Sequence, residues 1–350
     1  MTPTLSTRAL ARLLSGLENG DAKAQAQLRE LYPHSGQARV IGITGAPGSG
    51  KSTLVTEMAR LYRAQQHTVA VIAVDPSSPF TNGAILGDRY RMNDLAGDPG
   101  VFIRSMASRG ALGGITGAVF DGITALDVAG YQVILVETVG AGQVEIEVAW
   151  AAESVIVVEA PGLGDDIQAV KAGILEIADV VVVNKADRDG AGQTSAGLQA
   201  ALDVAYAGRP VGDFWEEGYV VMPGAGFPKW RVPVLQASAT KREGIDAILA
   251  QLARHKRYLD STGKGEWRRE HRVEHDVLNR LREALLRRAL SAIPPQILKE
   301  TIAKVSQHQL HPIDAVERLI SHDNTLLNPT RRDVAQCQQQ DSGLVGRAIE

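Results

Sequence analysis

The sequence has a single cysteine, Cys337, and this scarcity excludes an intrachain disulfide and any metal site that needs several cysteines. It also lacks an excess of either charge, because 37 basic and 40 acidic residues leave a net charge of -3. Bulk charge therefore does not indicate a strongly basic face for nucleic acid, and we expect no nucleic-acid partner.

Long apolar runs are absent as well, since no stretch reaches the roughly 20 residues that a membrane-spanning helix needs. The first residues, Met1 to Leu14, contain two arginines but no long apolar segment of the kind found in secretory signals. We therefore expect no membrane association and a cytoplasmic location.

Short β-branched runs recur along the 350 residues and alternate with segments that have helical spacing of apolar residues. Several runs are apolar at every position, which is typical of parallel strands covered on both faces. The alternation predicts an α/β fold with a mostly parallel, doubly wound sheet. The predicted strands are 39–44, 69–74, 101–103, 133–136, 155–158, 180–183 and 232–235.

The segment from Gly45 to Ser52 fits the P-loop pattern G-x-x-x-x-G-K-[ST], between a predicted strand and a predicted helix. Glycines let several backbone N–H groups converge on phosphate oxygens, and the helix N-terminus adds its dipole. Lys51 would neutralise phosphate charge, and the hydroxyl of Ser52 would bind Mg²⁺. The alternative is a glycine-rich turn without a ligand. The predicted nucleotide-binding residues here are Gly45, Ala46, Pro47, Gly48, Ser49, Gly50, Lys51, Ser52 and Thr53.

A second motif, Asn184-Lys185-Ala186-Asp187, follows a predicted strand and matches the guanine-binding pattern N-K-x-D. The carboxylate of Asp187 can accept hydrogen bonds from N1–H and the exocyclic amine of guanine, which adenine does not offer in that arrangement. Asn184 would tie the loop to neighbouring backbone. The alternative is a plain turn at a strand end. The segment Ser238-Ala239-Thr240 resembles the loop whose backbone contacts the guanine O6.

A third motif, Glu137-Thr138-Val139-Gly140, resembles the D-x-x-G of GTPases with glutamate in place of aspartate. The carboxylate would hold Mg²⁺, and the N–H of Gly140 would sense the γ-phosphate. Small GTPases have glutamine directly after the glycine, whereas here Ala141 follows and Gln143 comes two residues later. We therefore expect slow intrinsic hydrolysis, below about 1 s⁻¹.

Two further acidic positions, Asp75 and Asp88, lie where a second group could reach the metal. For Asp75 the alternative is a capped turn, which the following Pro76 also favours. The segment 161–168 is a glycine loop with two carboxylates before a predicted helix that holds Lys171, and by itself it could be an N-capped helix start.

Taken together, the motifs resemble the MeaB/ArgK family of GTPases, chaperones of adenosylcobalamin-dependent acyl-CoA mutases. The similarity is strong over about 40–255 and rests on D-P-S-S, I-L-G-D-R, S-R-G, L-G-G, E-T-V-G-x-G-Q, G-D-D-I-Q and V-N-K-A-D. It implies a P-loop GTPase that binds GTP or GDP, with Ser52, Asp75, Asp88 and Glu137 around Mg²⁺. It also implies an extra switch at 164–173, with Gln168 and Lys171 responding to nucleotide or partner. The predicted catalytic residues are then Lys51, Glu137, Gln143 and Lys171.

By the same resemblance, GTP hydrolysis would gate loading of the cofactor onto a mutase and removal of damaged cofactor. The chain itself lacks the cobalamin pattern D-x-H-x-x-G, and it departs from the family at 80–84 and at Val144. The mutase could be specific for methylmalonyl-CoA or for a related acyl-CoA. The alternatives are a kinase linked to amino-acid transport and a GTPase that delivers a metal.

The chain divides into four predicted parts. These are an N-terminal helical extension at 1–36, the GTPase domain at 37–258, a C-terminal helical region at 259–330 and a flexible tail at 331–350. In the C-terminal region Val273, Val277, Leu281, Leu285 and Ala289 form a narrow apolar stripe with a spacing of four. The family resemblance implies that these helices build a homodimer, and the alternative is that the stripe packs back onto the GTPase domain.

Overall fold

A seven-stranded parallel sheet forms the centre of the computed structural model, with strand order β3-β2-β4-β1-β5-β6-β7. The structure describes residues 5–76, 95, 97–108, 117–138, 144–162, 172–208 and 230–321. It confirms the predicted α/β fold class. The strands are β1 Arg39–Gly45, β2 Val69–Pro76, β3 Val101–Ser108, β4 Val133–Thr138, β5 Ser154–Glu159, β6 Val180–Val183 and β7 Val234–Gln236.

Helices lie on both faces of the sheet. The helices of the described residues are α1 Thr7–Glu18, α2 Ala22–Leu31, α3 Lys51–Ala64, α4 Gly117–Val128, α5 Val144–Ala151, α6 Ala172–Glu176, α7 Ala191–Gly208, α8 Ile245–Thr262, α9 Lys264–Ala292, α10 Pro295–Ser306 and α11 Pro312–Ser321.

The central strands are buried apart from Arg39 at the start of β1, and alternate side chains enter two separate cores. In β1, Ile41 and Ile43 point into the core that includes Leu54 and Met58 of α3. Val40 belongs to the other core, with the leucines of α1 and the apolar residues of α4. This two-sided burial explains why the sequence of these strands is a continuous apolar run.

The N-terminal extension, predicted to be helical, forms two helices, and each begins at a side-chain cap. The hydroxyl of Ser6 accepts from the N–H of Ala9, and the carboxylate of Asp21 accepts from the N–H of Lys23. These caps satisfy backbone donors that a helix start leaves open.

Several predicted boundaries differ from the structure by a few residues. Helix α7 continues to Gly208, and strand β7 is 234–236 rather than the predicted 232–235. Helix α8 extends to Thr262, four residues beyond the predicted end of the GTPase domain, and Gly263 with φ of 75° ends it. The tail predicted at 331–350 lies outside the described residues.

The chain forms two compact units, Met1–Asp276 and Val277–Glu350. The boundary falls within the sequence of α9, whereas the four-part division given above stays a prediction. Within the described parts of the chain, no helix has the length and apolar character needed to cross a bilayer.

Candidate functional site

The P-loop lies between the end of β1 and the start of α3, and its glycines have conformations that other residues disfavour. Gly45, Gly48 and Gly50 have φ values of 132°, 80° and 90°. A Cβ on Gly45 would also lie 2.1 Å from the carbonyl oxygen of Val158 in β5. Glycine at these positions therefore lets the loop curl at the carboxyl edge of the sheet, where ligands of such sheets bind.

Lys51, the first residue of α3, is 5% exposed and lies over this loop. Its Nζ donates to the carbonyl oxygens of Gly45 at 2.8 Å and Ala46 at 3.0 Å. The ammonium group is thus held directly above the P-loop backbone. Of the remaining predicted loop residues, Ser49 is fully buried and Thr53 is exposed in the first turn of α3.

Ser52 and Glu137 come together from two different elements. The Oγ of Ser52 donates to Oε1 of Glu137 at 2.7 Å, and both side chains are buried. The register explains the contact, because β4 is paired with β1 so that Glu137 lies opposite Ile43. A hydroxyl and a carboxylate, side by side at the carboxyl edge, are oxygen donors of the kind that Mg²⁺ prefers. These two residues therefore fit a magnesium ion.

Asn184 joins the P-loop to the loop after β7. Its Nδ2 donates to the carbonyl oxygens of Ser49 at 2.9 Å and Gly50 at 3.3 Å, and its Oδ1 accepts from the N–H of Ala239 at 3.1 Å. A Cβ on Gly50 would lie 2.5 Å from that Nδ2. Because Asn184 is 2% exposed, these bonds fix three loops in a single arrangement.

The neighbouring residues complete the predicted base site. Lys185 has φ of 56°, and its Nζ donates to the carbonyl oxygen of Gly48 at 2.6 Å. The hydroxyl of buried Ser238 donates to Oδ1 of exposed Asp187 at 2.6 Å, and Thr240 Oγ1 lies 3.4 Å from that hydroxyl. The hydrogen bond from Ser238 is the main reason that the pKa of Asp187 is below its ordinary value. An ionised, oriented carboxylate is what guanine recognition needs.

Six of the predicted residues are not placed. Five lie outside the described residues, namely Asp88, Gly140, Gln143, Gln168 and Lys171. For Asp75 the structure gives only the backbone, opposite Ala107 at the end of β2. Their predicted roles stay predictions.

Sequence reasoning missed two contacts near the site. The Nε of Arg242 lies 3.2 Å from Oε2 of Glu57 in α3, and Thr138 Oγ1 donates to Thr44 Oγ1 at 3.0 Å. Arg242 has φ of 59° in the turn where Ser238 and Glu243 are paired. No local pattern signals such pairs, because each joins residues that are distant in the chain.

Comparison with known proteins decides the family. Residues 8–293 match the family described as methylmalonyl Co-A mutase-associated GTPase MeaB. The chain belongs to the MeaB family. This confirms the family resemblance of the motifs, and the chain is a P-loop GTPase that acts on GTP.

Relatives of this MeaB-family chain are similar along most of its length. A putative GTPase of Pyrococcus abyssi is 42% identical over 313 residues, covering 89% of this chain and 92% of that protein. GTPase ArgK of Escherichia coli is 36% identical over 285 residues, with 78% and 81% covered. The mitochondrial methylmalonic aciduria type A homolog of Caenorhabditis briggsae is 32% identical over 265 residues, with 74% and 60% covered.

Among solved structures, a LAO/AO transport system kinase has the same fold, with a TM-score of 0.65 and 26% sequence identity. The match covers 91% of this chain and 94% of that one.

Proposed function

We propose that this GTPase gates the loading of adenosylcobalamin onto an acyl-CoA mutase and protects the loaded enzyme. The observation that carries the proposal is the family match, because the family is described as associated with methylmalonyl-CoA mutase and the match covers 8–293. A relative named for methylmalonic aciduria, at 32% identity, supports the same class of partner.

Nucleotide binding in this proposal uses the P-loop and the 184–187 loop together. The backbone N–H groups of 45–53 would surround the phosphates, and Lys51 would move from its loop carbonyls to the β- and γ-phosphate oxygens. Asp187 would hold the guanine, oriented by Ser238. Since Asn184 is bonded to both loops, base and phosphate binding would depend on one another.

The metal site of the proposal is centred on Ser52 and Glu137, whose side chains already touch. Asp75 and Asp88 would complete it, directly or through water. A magnesium ion there would neutralise phosphate charge as the terminal phosphate leaves. Gln143 would orient the attacking water and Lys171 would respond to the partner.

Gating would follow from the position of Glu137, which is the last residue but one of β4 and lies two residues before the start of the 139–143 segment. Loss of the γ-phosphate would remove a ligand from this end of the strand, so the segment after it can differ between GTP and GDP states. A partner surface that includes such a segment would then bind the two states with different affinity.

The test is a binding experiment between the full chain and purified acyl-CoA mutase subunits, with GDP and with a non-hydrolysable GTP analogue. We expect complex formation that depends on the nucleotide, and GTP hydrolysis that is slow alone and faster with the cognate mutase. The Lys51→Ala variant serves as control and should lose the nucleotide dependence. Binding to no mutase subunit in either state would overturn the proposal.

A second candidate function is phosphoryl transfer to a transport protein, because the solved relative at 26% identity is titled a LAO/AO transport system kinase. The two are separated with GTP labelled on the γ-phosphate. A GTPase chaperone releases the label as inorganic phosphate, whereas a kinase leaves it on protein. Stable label on a protein acceptor would favour the kinase.

A further inference from the structure

The first half of α9 presents a polar face to the GTPase core. Arg268, Arg272 and His275 are spaced as i, i+4 and i+7, so they lie on one side of the helix. We call these three residues the clamp face. All three belong to the compact unit Met1–Asp276, and none is a nucleotide-site residue.

Each member of the clamp face contacts α5 or the two residues that follow it. Arg272 donates to the carbonyl oxygen of Ala152 at 2.7 Å, just after α5. His275 is stacked on Trp150 of α5, with ring centroids 4.2 Å apart and planes 2° from parallel. Arg268 donates to the carbonyl oxygen of Glu153 at 3.1 Å.

Arg268 also binds the segment after α6. Its two terminal nitrogens donate to the two carboxylate oxygens of Asp179 at 2.9 and 3.1 Å. The same carboxylate accepts from the N–H of Val155 at 2.9 Å and lies 3.2 Å from Nε2 of buried His255. Asp179 thus ties α9 to β5, to α8 and to the segment that enters β6.

The clamp face contacts α5 directly and reaches α6 through Asp179, three residues after that helix. Helix α5 begins directly after the 139–143 segment, and α6 begins at Ala172, inside the switch predicted at 164–173. Both segments are predicted to respond to the nucleotide. Helix α5 is also pressed onto β1, since a Cβ on Gly42 would lie 2.8 Å from Cγ2 of Val148. A shift of α5 along β1 would therefore carry Trp150 and Ala152 with it, as rigid packed elements move together.

We propose that the clamp face couples the nucleotide state of the GTPase site to the first half of α9, residues 264–276. The α5 contacts to Arg272 and His275 change when GTP is replaced by GDP, while the Arg268–Asp179 pair holds the helix in place. By linkage, weakening the coupling changes the relative affinities for GTP and GDP. This coupling lies within the GTPase itself and does not need a mutase partner.

The test compares hydrogen exchange of peptides from 264–276 in the full chain, saturated with GDP or with a non-hydrolysable GTP analogue. The wild type should show different exchange in the two states. Arg272→Met and His275→Ala should each remove at least half of that difference and change the ratio of the two dissociation constants about fivefold or more. Arg287→Met, an exposed arginine later in α9, is the matched control and should behave as the wild type.

His275→Ala is the milder substitution, because it removes a ring contact and leaves the Arg272 and Arg268 bonds in place. Before hydrogen exchange is compared, a thermal melt of each variant should establish that the variant is folded. Identical wild-type exchange with both nucleotides, or variants that keep the full difference and an unchanged affinity ratio, would overturn the coupling. Neither result depends on whether a mutase binds.

Discussion

At the scale of single residues, a substitution of Asp187 can test how the site selects its base. Its carboxylate is exposed and oriented by Ser238, as guanine recognition requires. A charge-assisted hydrogen bond contributes about 1.5–3 kcal/mol, so Asp187→Asn should weaken GTP binding about tenfold to a hundredfold. Xanthosine triphosphate should gain affinity, since its C2 carbonyl can accept from the new amide. Calorimetry with both nucleotides measures this.

Asp189→Asn is the matched control for this change, because Asp189 is an exposed carboxylate two residues further along the same loop. It should leave both affinities as in the wild type. Equal GTP affinity in Asp187→Asn and the wild type would remove Asp187 from the base site.

Asp179 is a buried carboxylate outside the predicted nucleotide site, and its contribution to stability can be tested by varying the pH. Burial by itself would raise the pKa of this carboxyl, but the charges of Arg268 and His255 and their hydrogen bonds outweigh it and hold the pKa well below its usual range. A carboxylate of this kind stabilises the fold above its unfolded pKa of about 3.9, and that contribution is lost as the pH falls toward the folded value.

Asp179→Asn should therefore lower the free energy of unfolding at pH 7 by about 3–5 kcal/mol, because it removes the negative charge that Asp179 places against buried Arg268. At pH 3 the gap to the wild type should shrink, since the wild type has begun to lose its own contribution. Urea unfolding at both pH values measures the gap, with Asp189→Asn as the exposed comparison. A gap of equal size at both pH values would contradict the assignment.

At the scale of elements, the sheet was predictable and the clamp face was not. The central strands are covered on both faces, so runs such as Val180–Val183 must be apolar at every position, and a local pattern reveals them. The order of the strands and the contact of Ser52 with Glu137 depend on register between distant segments. The motifs therefore named candidate site residues, and the fold was needed to show which of them lie together.

Helix α9 shows most clearly what the spacing of apolar residues cannot predict. Its apolar stripe at Val273 and Val277 was found from spacing, yet the side that contacts the GTPase core is built from Arg268, Arg272 and His275. Their partners include a buried carboxylate and two backbone carbonyls, which leave no hydrophobic pattern. Burial lowers the pKa of Arg272 to about 10. The negative charge of Glu153 opposes this shift, whereas the positive charges of Arg268 and Arg269 add to it.

The packing of α5 on β1 gives the next prediction. Gly42 faces Val148 and Ala152, and an added Cβ would lie 2.8 and 3.1 Å from their side chains. Valine is stiff at χ1, so Gly42→Ala should displace the helix and cost about 1–3 kcal/mol of stability in chemical unfolding. Gly192→Ala is the control, because that helical glycine in α7 has open space around its Cβ position. The control should be neutral or stabilising by up to about 1 kcal/mol.

Since Gly42 lies directly under α5, the same substitution also reaches the proposed coupling. The displaced helix should reduce the nucleotide-dependent difference in the exchange of 264–276, whereas Gly192→Ala should not. An unchanged free energy of unfolding in Gly42→Ala would show that α5 adapts freely on β1, which would also weaken the coupling argument.

At the scale of the whole molecule, the C-terminal helices carry apolar side chains that stay in contact with water. Val277, Leu281 and Leu285 of the predicted stripe are 55%, 51% and 49% exposed, and Leu278 and Leu286 beside them are 46% and 53% exposed. Isolated exposed leucines are ordinary, but a continuous row along one helix marks a site of protein association. A homodimer through this stripe is the prediction that such a row supports best.

Leu281→Glu combined with Leu285→Glu should convert that dimer to a monomer. A buried leucine contributes about 1.5–3 kcal/mol, and a dimer loses two per protomer, so the dissociation constant should rise at least about a hundredfold. Arg287→Glu, elsewhere on the same helix, is the charge control. Sedimentation velocity over a range of concentrations gives the oligomeric state, and urea unfolding gives the stability. Because both leucines are half exposed in the single chain, the double variant should stay folded. A variant that keeps the oligomeric state of the wild type but loses several kcal/mol of stability would instead show that the stripe packs within its own chain.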